Sequence, residues 1–156
     1  MKLSQGVEWG MHCTTLIAQV SEGVALSRRA LAEHYALPDP YLAKHLQALT
    51  RAGILAATPG PRGGFRLART ATEITVLDVL EAIEGSAAPF LCQEIRQRGT
   101  GAVSAEQCSR PCAISTVMAD AHEAWRDSLR QTTIANLVDQ LPAEVRASNR
   151  ERFGGT

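Results

Sequence analysis

The sequence predicts a mainly α-helical chain, and three observations carry that prediction. Two short helical stretches with clear start and stop signals lie back to back within residues 27–53. A turn dense in Pro and Gly, between two short apolar runs, follows them directly. A long stretch of amphipathic spacing then fills residues 113–141. Between these parts lies the segment 92–112, which holds three of the four cysteines and is rich in Gly, Ser, Gln and Arg. A loop of about twenty residues inside a compact domain is unusual unless it is functional or disordered, so this one is expected to fold around a metal centre.

The 156 residues suit one functional unit with an extra helical arm. Net charge is zero, yet residues 27–69 carry seven Lys or Arg (Arg28, Arg29, Lys44, Arg51, Arg62, Arg66, Arg69) against Glu33 and Asp39. That asymmetry points to a polyanion contacted by one region. MKLSQGVEWG lacks the apolar run of a signal peptide, and no apolar stretch approaches a membrane span, so a cytoplasmic protein with no membrane partner is expected. In that reducing compartment, closely spaced cysteines are more often metal ligands or redox sensors than structural disulfides. No nucleotide fingerprint and no nucleophile-base pair in motif context is present, so the chain does not read as an enzyme.

Residues 3–20 read as a helix with Val7, Met11, Thr14 and Ile17 on one stripe, interrupted only by Gly6 and Gly10. Glu8 and His12 stand one turn apart on one face of it, a spacing that equally describes a solvated surface pair. Cys13 turns about 100° away from His12 and reads as a small core residue. Ser27 is a good N-cap for RRALAEHY. Asp39 as cap, with Pro40 at the first helical position, starts the next helix, which places Leu42, Leu46 and Leu49 inward and ends at Gly53. ILAATPGPRGGFRLA then reads as a hairpin with residues 59–64 at its tip. Two helices joined by a tight turn and followed by a basic hairpin form a winged helix-turn-helix DNA-binding domain. Its second helix would present Tyr41, Lys44 and His45 to base edges in the major groove, and Arg62 and Arg66 on the wing would reach phosphates or the minor groove. Arg28 joins this basic surface.

TVLDVLEAIEG forms a further helix with Val76, Leu77, Leu80 and Ile83 inward, closed by Gly85. The apolar series Ile114, Val117, Met118, Ala121, Trp125, Leu129, Ile134, Leu137 and Leu141 suits a long helix that is irregular near Thr132 and Thr133. A chain this small has little core to cover such a helix, so it is expected to pack against a second copy. The organisation is therefore 1–85, winged helix-turn-helix; 86–112, cysteine loop; 113–141, long C-terminal dimerisation helix; and 142–156, a loose polar tail.

SRRALAEHYALPDPYLAKHLQALTRAGILAATPGPRGGFRLAR followed by EITVLDVLEAIEG resembles the IscR/NsrR (Rrf-two) family of bacterial winged-helix regulators. The likeness spans residues 1–141 and is most specific where the RGGFRLAR wing joins ITVLDVLEAIEG. The resemblance implies a homodimer on palindromic double-stranded DNA, and an iron-sulfur cluster between the long helix and the partner's N-terminal helix. It implies Cys92, Cys108 and Cys112 as the sulfur donors, although fifteen residues separate the first two here and three the last two. The histidine that some members carry after the last cysteine is replaced by Ser115. An acidic residue near position eight of the partner completes the site in related members, which makes Glu8 and His12 candidate ligands. Of the five, Cys92 is the least secure, with a buried inert thiol as its alternative reading.

The resulting expectation is a [2Fe-2S] cluster with mixed ligation, as in the redox-sensing RsrR type that this chain resembles, and a [4Fe-4S] centre sensing nitric oxide is the competing form. The chain would act as a repressor switched by the cluster's state. Trp9, beside Glu8, is large enough to wedge against the helix-turn-helix and relay the signal, or simply to pack there. Two alternatives to a cluster remain: structural zinc on Cys108, Cys112 and His12, and a metal-free thiol-disulfide sensor.

Overall fold

The structure is a computed structural model that describes residues 2–154; Met1 and the last two residues of the tail lie outside it. Seven α-helices and one hairpin follow in order: α1 Gln5–Ile17, α2 Arg28–Tyr35, α3 Asp39–Arg51, β1 Leu55–Thr58, β2 Gly64–Leu67, α4 Val76–Glu84, α5 Ala113–Arg130, α6 Ile134–Asp139 and α7 Ala143–Phe153. The described residues form two compact units, one of residues 2–85 with 129–154, the other of residues 86–128. The mainly helical winged helix-turn-helix is thus as predicted, but the segment after residue 128 returns to the N-terminal unit.

In the larger unit the core is built from one face each of α1, α2 and α3, where Cys13, Leu16, Leu31, Leu42, Leu46 and Leu49 are almost fully buried. Ser27 caps α2, accepting from the Ala30 amide at 3.1 Å. Ala36 in the left-handed region makes the turn into α3. Asp39 does not cap α3: Pro38 holds the N-cap position, Pro40 sits one place further in, and the Asp39 carboxylate accepts instead from Arg28 at 2.9 Å. β1 and β2 pair antiparallel from Leu55 opposite Leu67 to Thr58 opposite Gly64. Gly64 therefore belongs to the strand rather than to the tip. Its φ of +151° and its closeness to the Leu26 carbonyl admit no side chain.

A reciprocal capping box between Thr75 and Asp78 opens α4. Leu77, Val79 and Leu80 are buried there, whereas Val76 and Ile83 are only half-buried. Ile83 nevertheless packs on α1, because a Cβ on Gly10 would stand 2.3 Å from its Cδ1.

The long helix predicted for 113–141 is two. It breaks where Thr133 caps α6, trading hydrogen bonds with Asn136, and Thr133 bridges to Thr75. Ile134 is fully buried and its amide donates to the Ile74 carbonyl at 2.9 Å. The tail expected to be loose is also ordered: residues 143–153 form α7, whose buried Asn149 donates to Gln19 at 3.0 Å and whose Phe153 stacks edgewise on His34. A polar composition hid this helix, because its attachment is a buried amide pair and one ring rather than an apolar stripe. No helix among the described residues is long and apolar enough to cross a membrane.

Candidate functional site

α1 positions three of the sequence-predicted residues. Glu8 and His12 are both exposed, and both line a groove of about 560 Å³ whose apolar walls are Leu3, Val7, Met11, Leu137 and Leu141. They also share a cavity of about 180 Å³ with Trp9, Tyr35 and Leu37. One turn of helix has put a carboxylate and an imidazole on one accessible, partly apolar face.

Trp9 is half-buried and lies edge-on to the His45 ring, centroids 5.9 Å apart. Gly6, three residues earlier, lets that ring in: a Cβ there would be 2.2 Å from His45 Cε1. Burial and the neighbouring Lys44 hold the His45 imidazole below its usual range, against the opposing pull of Glu84. His45 is thus docked on α1 rather than standing free. Glu84, at the end of α4, accepts from the Ser4 amide at 2.9 Å and from its hydroxyl, anchoring the start of α1.

The remaining predicted DNA-contacting residues are open to solvent. Tyr41 is 67% exposed, and Lys44, Arg62 and Arg66 are exposed on α3, the wing tip and β2. Arg28 is exposed too, although paired with Asp39.

Sequence reading missed Tyr35. Its phenol donates to the His12 carbonyl at 3.2 Å, its ring lies 5.4 Å from the imidazole, and burial pushes its pKa up to about 12. Nothing in the helix pattern marked it, since it ends α2 and reaches α1 only in three dimensions.

In the smaller unit the cysteine loop contains one short 3-10 turn, Ile95–Gln97, preceded by Glu94 at a left-handed φ of +50°. Cys112 stands just before α5, and the amides of Ser115 and Ile114 donate to its sulfur. Those amides, with Arg96 and the Cys92 thiol alongside, hold the Cys112 pKa below the usual thiol range. Arg96 also faces Cys108. Cys92 is exposed, so it is no buried inert thiol, and the Arg96 guanidinium interacts with the sulfurs of Cys108 and Cys112. Cys13 is the inert one, buried in the core with its thiol pushed up to about 12. Among the described residues, no group of three or more His, Cys, Asp or Glu side chains is arranged to hold a metal ion within one chain.

Residues 3–140 match the Rrf2 family, described as "Iron-dependent Transcriptional regulator". The HTH-type transcriptional regulator YffB of Lactococcus lactis is 31% identical over 140 residues, covering 90% of this chain and 88% of its own. Among solved structures, CymR (YrzC), the global cysteine regulator of B. subtilis, superposes with a TM-score of 0.72 at 20% identity, over 91% of this chain and 99% of that one. IscR of T. potens gives a TM-score of 0.66 at 22% identity, over 91% and 93%. Both structures share the winged-helix fold. On the family match and the fold together, this chain belongs to the Rrf2 family of DNA-binding transcriptional regulators and is not an enzyme.

Proposed function

We propose that the chain is a cytoplasmic, redox-sensing repressor that binds palindromic DNA as a homodimer, its operator affinity set by an iron-sulfur centre. The ligands in this reading are Cys108 and Cys112 of one protomer, with Cys92 beside them, and Glu8 and His12 of its partner. The observation that carries it is the Cys112 site. A sulfur held toward thiolate by two helix-start amides, beside a second thiol and a guanidinium, has the chemistry of a metal donor. Among the described residues one chain does not complete such a site, and the exposed Glu8–His12 face offers an oxygen and a nitrogen.

The dimer is supported by α5, which has no buried residue and exposes Ile114, Val117 and Met118. When bound, a two-iron cluster supplies one-electron chemistry and a change of local charge. The residues of this chain do the rest. Glu8 and His12 tie α1 to the site; Trp9 and Gly6 pass a displacement of α1 to His45 on α3; Tyr35 holds α2 to the His12 carbonyl. Oxidised and reduced protein should therefore differ in operator affinity, and Trp9→Ala should retain the cluster while losing that difference. A gel-shift titration in which Trp9→Ala switches like the wild type contradicts the relay.

A second reading has an observation of its own. Cys92 is exposed and is among the groups that lower the Cys112 pKa, so a metal-free sensor closing a disulfide between them would use the same loop. Iron and sulfide analysis of protein purified without air separates the two.

A further inference from the structure

We propose that Arg96 is the positioning residue of the sulfur site: it ties the Cys92 arm of the loop to the Cys112 arm and fixes a positive charge against the sulfurs. No residue from Ser86 to Cys112 is buried, so apolar burial does not order this segment. Closing the fifteen-residue gap between Cys92 and Cys108 costs chain entropy that polar contacts must offset.

Arg96 makes those contacts at the place where the two arms meet. Its Nε donates to Glu94 Oε1 at 2.5 Å, and one terminal nitrogen donates both to Glu94 Oε2 at 2.8 Å and to the Arg110 carbonyl at 3.2 Å. Its own carbonyl accepts from the Val103 amide at 2.9 Å. Glu94 is two residues after Cys92, and Arg110 two before Cys112, so the fork spans the gap. A two-pronged Arg-carboxylate pair fixes the guanidinium plane, which lysine's single ammonium does not. The cation so fixed faces Cys108 and Cys112, and a nearby positive charge favours the more negative, reduced state of any centre those sulfurs hold.

The test uses the full-length chain, and only its electrochemical arm rests on the cluster reading above. In reduced, metal-free protein carrying Cys108→Ser, phenylarsine oxide bridges two adjacent thiols. Two As–S bonds form, and the arsenical oxygen leaves as water with both thiol protons. Arg96→Gln is expected to slow bridging of Cys92 to Cys112 several-fold, with the circular dichroism unchanged. In protein with all cysteines present, purified without air, Arg96→Gln shifts the midpoint potential negative, whereas Arg96→Lys leaves it near wild type but still bridges slowly. Bridging of Arg96→Gln at the wild-type rate overturns the clasp, and equal potentials in wild type and Arg96→Gln overturn the charge role. Absence of iron and sulfide from the wild type overturns the cluster reading instead, and the bridging rate alone then decides the clasp.

Discussion

Gly6 is the residue at which α1 meets His45 of α3. In an isolated helix it is a weakness, because glycine costs about 1 kcal/mol relative to alanine. Here it is the space in which the His45 ring sits. Gly6→Ala should hold stability within about 1 kcal/mol while displacing His45, so operator affinity measured by anisotropy falls several-fold with iron content unchanged; wild-type affinity contradicts the contact. His34 makes a separate prediction. Burial, then Arg152, lowers its pKa, and its Nδ1 is buried without a hydrogen-bond partner among the described atoms. The unfolded chain therefore takes up the proton first as pH falls. The stability that neutral His34 contributes is complete above about 6.5, the ordinary histidine value, and declines as pH drops below it toward the lowered folded pKa. Urea midpoints between pH 7.5 and 5.5 should show this slope, and His34→Phe, which keeps an aromatic ring against Tyr35 and Phe153, should flatten it. At this scale the sequence was partly readable. The four-residue Glu8–His12 spacing and the buried Cys13 follow from helix periodicity. The use of Gly6 and Gly10 does not, because a close approach is defined by the residue that approaches, and His45 and Ile83 lie on other helices.

At the scale of elements, local chemistry predicted what local chemistry controls. Ser27 caps α2 as expected, and the Pro- and Gly-dense turn between two apolar runs yields the wing. Asp39 was misread because a cap signal and an ion-pair partner look alike until Arg28 is placed beside it. The long C-terminal helix, expected to be irregular near Thr132 and Thr133, is broken there into two: Thr133 competes for the Asn136 amide and ends the continuity. α7 was least legible, since it holds to the domain through Asn149 and Gln19, 130 residues apart. Asn149→Leu leaves Gln19 Oε1 without that donor and should cost about 1–3 kcal/mol. Thermal denaturation measures it, and an unchanged midpoint would show that α7 contributes little.

For the whole molecule, two features have no explanation within one chain: α5 buries nothing, and Glu8 with His12 faces outward beside an apolar groove. The second copy proposed above would account for both. Val117→Asp places a charge on the exposed stripe and should yield a monomer by light scattering that has lost both iron and operator binding. A dimer of wild-type mass would remove α5 from the interface. Ligation across the dimer is tested by the iron and sulfide content, with the visible spectrum, of protein purified without air as wild type, Glu8→Ala and His12→Ala. A coloured wild type with equal iron and sulfide is expected, with loss or spectral change of the centre in both variants. A wild-type spectrum retained in both would contradict ligation across the dimer.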